Sequence, residues 1–504
     1  MSYLLLTGAT GLLGAYLLRD LTAAGTRLAV IVRSNRRQSA RQRVDAQMSH
    51  WEILAGHALP RPVVLDGDLS EPGLGLSNAD RQWVGQHVSG LLHNAASLTF
   101  QADDPEGEPY RTNVVGTRHV LDLCRETGVR KFHHVSTAYV AGLRQGKILE
   151  TDLDCGQEFG NDYEISKFQS ETLVREATFL DQVTVFRPAI ILGDSETGYT
   201  TTFHGFYVPL KLAASLLRHM VTRERSPDDM FNEVRGNASR LVSLMNLAGH
   251  ESKNFVPVDW VSAVMTHVIS QASLHGQTYH LAPRSRTTVA EIQHGIERAF
   301  LGAVRPDQKP KSDGNETWKQ FERMFLGGMS VYQSYWKDDP EFDTSQTDTA
   351  APHLPCPTMT AEMFQTMCRF AIETNFGWPK PAVQPPVFDV QSWLDIKSGI
   401  HSTNGAKHSQ PQTYLGLQVN GSGGGQWELQ LTDSRLTAIV PGVSQRCATT
   451  YYLNTSTYQR LAKQAETVDQ AIATGRVLIE GNGVPLTELT RILQLVAESR
   501  PQLA

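Results

Sequence analysis

Disulfide chemistry has little to work with in this chain. Its 504 residues include five cysteines, Cys124, Cys155, Cys356, Cys368 and Cys447. They are scattered, with no C-x-x-C pair, which argues against a disulfide framework or a zinc site and suits a reducing compartment. Long apolar runs are missing as well, and none approaches the ~18 residues of a membrane span. The N-terminus enters an apolar segment directly, without the basic region and cleavage site of a signal peptide, so the expected setting is the cytoplasm. Neither charge sign dominates. Lys and Arg number 46 against 52 Asp and Glu, a net charge of −6, and nothing general points to nucleic acid. What is present, with 40% hydrophobic residues, is enough apolar material for two or three domains.

Glycine is placed where a backbone has to turn sharply. Tyr3 to Leu6 read as a buried strand, and Thr7-Gly8-Ala9-Thr10-Gly11-Leu12-Leu13-Gly14 follows at once. Leu13, Leu17, Leu18 and Leu21 then mark a helix with Gly25 as its C′ stop. A strand-to-helix turn of this kind lets backbone approach a pyrophosphate while the positive helix N-terminus faces that charge. The spacing is G-x-x-G-x-x-G, wider than the G-x-G-x-x-G of most nucleotide-binding dehydrogenases.

Arg27 to Arg33 read as a second buried strand that ends in a cation. An acid there would accept from an adenosine ribose 2′-hydroxyl and favour NAD, whereas an arginine would neutralise the 2′-phosphate of NADP. No acid is present, and Arg36, Arg37, Arg41 and Arg43 follow Arg33. Residues 38–55 read as a helix and Pro62 to Leu69 as a third strand, in which Asp68 either accepts from adenine or caps its own loop. Gly90 to Ala96 is the next strand and turn, where Ala95 and Ala96 after Asn94 leave room for a ligand against the backbone. A helix around Asn113 to Cys124 and the strand Lys131 to Thr137 complete four strand-helix repeats. With right-handed crossovers these make a doubly wound parallel sheet.

Ser136 and Thr137 put hydroxyls at the carboxyl end of that last strand. Tyr163 and Lys167 form a Y-x-x-x-K pair whose i, i+4 spacing sets phenol and ammonium on one helical face. A phenol, with a pKa of about 10 in water, becomes a usable proton donor beside a cation. The lysine can also hydrogen-bond a nicotinamide ribose, and Thr137 can hold a substrate oxygen beside the phenol. Such a set suits carbonyl reduction by a nicotinamide hydride and a proton from Tyr163. His133 and His134, on the strand, read as packing or structural hydrogen bonding rather than as bases.

These motifs in this order resemble the extended short-chain dehydrogenase/reductase family. The resemblance is carried by the glycine turn, Asp68-Leu69, Asn94-Ala95-Ala96, Asn113 in N-V-V-G-T, Val135 to Tyr139, Tyr163/Lys167 and Arg187-Pro188. His134 to Gly142 (H-V-S-T-A-Y-V-A-G), followed by Glu150, is similar to the branch of fatty acyl-CoA reductases and thioester (carboxylic acid) reductase domains. It is specific over residues 1–195 and looser to about 380. It implies NADPH-dependent reduction of an acyl thioester to the aldehyde, with a second step to the alcohol left open. Thr137, Tyr163 and Lys167 would be the catalytic set. The implied cofactor contacts are Gly8, Thr10, Gly11, Leu12, Leu13, Gly14, Arg33, Asp68, Leu69, Asn94, Ala95, Ala96, Asn113, Lys167, Pro188 and Ile190. NADPH is expected ahead of NADH. Related branches oxidise 3β-hydroxysteroids, reduce dihydroflavonols or epimerise nucleotide sugars on the same set.

Beyond Gly193 to Gly198, where the chain leaves the cofactor core, the pattern is less specific. The amphipathic helix from Val208 to Val221 is either plain core or the lining of a substrate entrance. Asp259 reads as an N-cap, and Thr288 as the cap of a later helix. Phe325 to Trp336, with Met324, Met329, Tyr332 and Tyr335, reads as subdomain core or as a cover for a lipid-like substrate. Pro379, Pro381, Pro385 and Pro386 break the chain, and residues 401–412 read as a linker.

The last segment changes character. Trp427 to Leu431, Leu436 to Val440 and Ala448 to Leu453 read most simply as three antiparallel strands. Tyr458 to Ala465 and Val468 to Ala473 suit helices, Arg476 to Gly481 another strand, and a terminal apolar helix starts at Pro485. This order resembles the sterol carrier protein-2 family of lipid-binding domains, which implies an apolar tunnel for an acyl chain or sterol. A small α+β domain with a solid core, used to form a homodimer, is the other reading.

The expected architecture is therefore α/β. Residues 1–400 form a Rossmann-type doubly wound reductase domain, with a cofactor core to about 195 and a helical substrate part to 400. After the linker, residues 413–504 form an α+β lipid-binding-like domain. The expected function is NADPH-dependent reduction of a lipid-like or carrier-bound acyl thioester, on CoA or an acyl carrier protein. Two alternatives stand beside it: a hydroxysteroid-type or other alcohol dehydrogenase or ketoreductase, and an NADPH-sensing lipid-transfer protein, which would have no need of a proton donor such as Tyr163. No metal site is expected.

Overall fold

A computed structural model describes residues 2–220, 236, 239–240, 242–303, 314–378, 388–392, 394, 413–421, 423–432, 435–444 and 446–481. The chain divides into two units, Met1–Ile31 with Gly67–Pro381, and Val32–Asp66 with Ala382–Ala504. Strands and helices alternate from the start. In order they are β1 (Tyr3–Thr7), α1 (Leu12–Ala23), β2 (Leu28–Val32), α2 (Ala40–Ala55), β3 (Val63–Asp66), α3 (Asn78–His87), β4 (Val88–His93), α4 (Gly116–Thr127), β5 (Lys131–Val135) and α5 (Asp162–Arg175).

In the first unit the sheet runs Thr278–Leu281, Gln182–Pro188, β5, β4, β1, β2, with every neighbouring pair parallel. This is the doubly wound parallel arrangement read from the sequence. Leu5, Leu6, Val30, Leu91, Leu92, Phe132 and Phe186 are all fully buried, as strands covered by helices on both faces must be. Chain order reverses between β1 and β4, so Thr7 and His93 lie side by side at the carboxyl ends. Sheets of this kind take ligands at that switch point.

A second apolar core in the same unit joins Leu192, Phe206, Tyr207, Leu210, Phe255, Phe325, Met329, Tyr332, Phe364 and Met367. Phe325, Met329 and Tyr332 of the aromatic stretch are therefore core, and the helix Tyr207–Met220 buries Tyr207, Leu210 and Ala214. Thr288 caps Val289–Ala303 as expected, accepting from Glu291 N at 3.2 Å. Asp259 does not act as an N-cap. The helix Val258–Ser270 starts two residues earlier than that reading needs, directly from the extended Pro257. Asp259 is left in the first turn, where it accepts from Ser195 N at 2.9 Å and Oγ at 2.7 Å.

The second unit holds α2, β3 and a five-stranded sheet. Its order is Arg435–Pro441, Gly425–Thr432, Thr413–Asn420, Thr449–Asn454, Leu478–Gly481. Leu415, Val419, Leu429, Tyr451 and Leu453 share one core with Tyr458, Leu461 and Ala471 from the helices Thr455–Ala462 and Val468–Ala473. Three consecutive antiparallel strands are not what forms. Thr413–Asn420 inserts between Gly425–Thr432 and Thr449–Asn454 and pairs parallel with the latter. Six residues in a row of that strand, Leu415 to Asn420, are buried, so it lacks the period-two alternation that reveals a half-exposed strand. Within this unit Ala58 N donates to Gly475 O at 2.8 Å. The linker 401–412 and the helix expected from Pro485 lie outside the described residues.

Candidate active site

Two glycines set the turn after β1 by necessity. Gly8 takes φ +72°, and a Cβ on it would come within 2.7 Å of the Ala95 backbone. A Cβ on Gly14 would meet Gly8 O at 2.0 Å. Gly11 is different. It is exposed, has φ −78°, and its nearest obstacle is Gly8 O at 3.5 Å. The fold itself does not require glycine there, but a ligand lying against the turn does. Gly11 is also the N-cap of α1, with no side-chain cap and no acid in the first turn, which presents the positive helix end to an anion. Thr10 and Leu12 flank it half-buried and Leu13 lies buried. These features fit a dinucleotide pyrophosphate.

Thr7 joins this turn to β4. Its Oγ1 accepts from Asn94 N and Ala95 N, each at 3.2 Å, so its own proton goes to His93 Nδ1 at 2.8 Å. His93 Nε2 then donates to Thr117 Oγ1 at 3.0 Å, which in turn donates to Asn113 O at 2.6 Å. Burial, and after it the charge of Lys167, pushes the His93 pKa down to about 3, so the ring stays neutral and the direction of the chain is fixed. Asn94 Nδ2 donates to Gly8 O at 3.3 Å, and Ala96 stands exposed beside the turn. His93 is missed by motif reading because a lone histidine in an apolar strand carries no pattern. His134 is also held neutral, by burial first and Lys167 second, and bonds Ser170 Oγ at 3.3 Å.

Several expected contacts turn out to be engaged within the protein. Asn113 receives Ser97 N at 2.8 Å on Oδ1 and gives Nδ2 to Ser97 O at 3.0 Å and Ser166 Oγ at 2.9 Å. It ties the turn after Ala96 to α5. Asp68 closes its own loop by accepting Ser70 N at 3.0 Å and Ser70 Oγ at 2.9 Å, while Leu69 O accepts from His119 Nδ1 at 2.8 Å. Pro188 O accepts from Thr137 Oγ1 at 3.4 Å, and Ile190 begins a short strand parallel to Phe255–Pro257. Arg33 lies exposed just past β2, with its carbonyl accepting from Arg43 Nη1 at 2.6 Å.

Asn161 caps α5, which places Tyr163 in its first turn and Lys167 one turn later. The Thr137 side chain acts on the Tyr163 hydroxyl at the end of β5. Burial raises the Tyr163 pKa above that of an ordinary phenol, Thr137 offsets this only in part, and the lowering expected from Lys167 does not appear because burial dominates. The phenol is therefore protonated throughout the neutral range. Lys167, 2% exposed, donates from Nζ to Val135 O at 2.7 Å, and burial lowers its pKa to about 8. The structure thus brings two hydroxyls together at the end of β5 with an ammonium one helical turn away. Among the described residues no group of three His, Cys, Asp or Glu side chains could hold a metal ion, and no helix is long and apolar enough to cross a membrane.

Comparison with known proteins bears on the family and the fold. A family model described as male sterility protein matches residues 6–265, just over half of the chain. The nonribosomal peptide synthetase asaC of Aspergillus flavus is 27% identical over 302 residues, covering 57% of this chain and 27% of that protein. The aldehyde reductase lnaA of the same organism is 22% identical over 402 residues, covering 72% of this chain and 35% of that one. The chain thus spans about a third or less of the length of these relatives. Among solved structures, the terminal R domain from the myxalamid PKS-NRPS biosynthetic pathway superposes with a TM-score of 0.58 at 26% identity, covering 76% of this chain and 93% of that one. The chain belongs to the male sterility protein family and is an NAD(P)H-dependent oxidoreductase of the extended short-chain dehydrogenase/reductase type.

Proposed function

We propose that this chain reduces an acyl group, held as a thioester on an acyl carrier protein or CoA, to the aldehyde with NADPH as reductant. One observation carries the reading. Thr137 acts on the Tyr163 hydroxyl, and both lie with Lys167, one turn on, in a chain whose likeness to a terminal R domain covers 76% of its length. NADPH, when bound, supplies a hydride for the acyl carbon. Thr137 Oγ1 holds the carbonyl oxygen beside Tyr163, and Tyr163 gives that oxygen a proton as negative charge develops on it. Lys167, an ammonium below about pH 8, would donate to the cofactor ribose. The carbon–sulfur bond then breaks and the departing sulfur takes up the oxygen's proton. One NADPH and one proton are consumed, and aldehyde and thiol are released.

The preference for NADPH rests on Arg33 and on the fate of the nearest acid. Asp66, which closes β3, accepts from Ser34 N at 3.0 Å and from Ser34 Oγ at 2.5 Å. That carboxylate is committed to Ser34 just past β2, and Arg33 is the cation at the same strand end. Residues 413–504 are read as a sterol carrier protein-2-like module that retains a lipid-like acyl substrate, on the strength of their order of strands and helices. Native mass spectrometry of the full chain would show co-purified lipid if that holds, and a lipid-free chain that also fails to take up added acyl-CoA or sterol would reject it.

NADPH consumption with a long-chain acyl-CoA, an acyl-carrier thioester, a fatty aldehyde and a ketosteroid tests the reaction itself. Thioester-dependent oxidation is the expected result. Turnover of the ketosteroid alone would overturn the reading.

A further inference from the structure

One turn of the helical lobe reaches both members of the Thr137–Tyr163 pair. Ser330–Tyr335 form a 3-10 helix against the start of α5. Gly160 makes room for it, since a Cβ there would lie 2.6 Å from Ser334 Cβ. The Tyr335 hydroxyl accepts from Asn161 Nδ2 at 3.0 Å, and the Glu164 carboxylate bears on it electrostatically. Glu164, 2% exposed, also receives Gly160 N at 2.8 Å and Asn161 Nδ2 at 3.1 Å, and Asn161 Oδ1 caps Glu164 N at 3.0 Å. The Tyr335 hydroxyl therefore closes a set of hydrogen bonds around the helical turn that bears Tyr163.

The ring of Tyr335 does the rest. It stands edge-on to Phe100 at 5.9 Å and to Tyr139 at 5.4 Å. Phe100 packs on Tyr163 with centroids 5.5 Å apart. Tyr139 gives its N–H to Thr137 Oγ1 at 3.3 Å and its hydroxyl to Asp339 at 2.7 Å. The turn is itself anchored, because Lys253 Nζ donates to the carbonyls of Tyr335 and Lys337 and to Asp339.

We propose that Tyr335 is a positioning residue for the reaction, holding the first turn of α5 so that the Tyr163 phenol stays on Thr137. The inference rests on the reading of Tyr163 as proton donor. Removing the hydroxyl leaves the rings packed but deprives Asn161, the cap of α5, of one acceptor. Proton transfer is sensitive to small displacements of this kind.

The test is Tyr335→Phe in the full chain, on whichever of the thioester and fatty aldehyde the unaltered protein turns over. A fall in kcat of ~5- to 20-fold is expected, with NADPH affinity by fluorescence titration changed less than about twofold. The solvent deuterium isotope effect on kcat should rise as proton transfer slows. Unaltered kcat and isotope effect would overturn the inference, and so would a parallel loss of cofactor affinity and kcat, which would mean general loosening. If Tyr335→Phe fails to fold, Glu164→Gln is read in the same way. Absence of any turnover in the unaltered chain overturns the functional reading and this inference together, whereas turnover indifferent to Tyr335→Phe overturns the inference alone.

Discussion

Lys167 Nζ donates to the Val135 carbonyl at 2.7 Å, a bond that ties the Tyr163/Lys167 face of α5 to the end of β5. Because burial lowers this lysine's pKa to about 8, the folded chain gives up that proton earlier than the unfolded chain does. Between pH 8 and the ordinary lysine value of 10.5 the unfolded state binds more protons, so this group makes stability rise with pH there. Urea unfolding of Lys167→Met should lose that contribution, about 1.4 kcal/mol per pH unit. NADPH affinity should fall as pH rises through about 8 in the unaltered chain and stay flat in the variant. An unchanged pH profile in Lys167→Met would remove the lysine from cofactor binding.

The three glycines of the turn should separate in their effects. Gly14→Ala forces a Cβ to 2.0 Å from Gly8 O and should prevent stable folding. Gly8→Ala combines φ +72° with a 2.7 Å approach to Ala95 and should cost several kcal/mol. Gly11→Ala meets nothing closer than 3.5 Å, so its melting temperature should stay within about 2 °C while NADPH affinity drops roughly tenfold or more. Thermal melts and a cofactor titration check this. Normal NADPH binding by Gly11→Ala would mean that the cofactor does not lie on this turn.

Much of this site is legible in the sequence, because its chemistry depends on local spacing. The glycine turn and the Tyr163/Lys167 pair each lie within one turn or one helix, where period and capping rules apply. What sequence does not reveal comes from distant segments. Tyr335 reaches Asn161 across 174 residues, and nothing in Phe325 to Trp336 distinguishes it from the core aromatics around it. Asp68 and Asn113 show the converse limit: their residue types suit cofactor contacts, yet nearby serines take up hydrogen bonds on both. The strand Thr413–Asn420 escaped because it is buried on both faces and adjoins a linker-like stretch.

Arg187 offers a stability test away from the reacting groups. Its Nη2 and Nε meet the two oxygens of Glu171 at 2.7 and 3.0 Å, with side chains 1% and 0% exposed. Burial alone would raise the Glu171 pKa, but Arg187 outweighs it and the value falls below the ordinary glutamate range. A depressed folded pKa contributes stability above pH 4.5 that is lost as pH falls through the folded value. Glu171→Ala strands a buried guanidinium and should cost about 3–5 kcal/mol. It should also flatten the loss of stability below pH 4.5 in denaturant titrations. A cost below about 1 kcal/mol would show that the pair does not brace α5.

The proposed preference for NADPH is tested at Arg33. Arg33→Ala should raise the KM for NADPH roughly 10- to 100-fold, the value of a charged hydrogen bond or two, and leave the KM for NADH within about twofold. Steady-state kinetics with both cofactors decides it, and equal effects on the two would refute a role in binding the 2′-phosphate.

The central claim is that Tyr163 delivers the proton in reduction of a carrier-bound acyl thioester. The most direct measurement compares NADPH oxidation by the unaltered chain and by Tyr163→Phe on a long-chain acyl thioester, with NADPH binding titrated in both. The account predicts thioester-dependent turnover that falls ~10²- to 10⁴-fold in Tyr163→Phe while NADPH still binds with similar affinity. Turnover by Tyr163→Phe within a few-fold of the unaltered chain would contradict it.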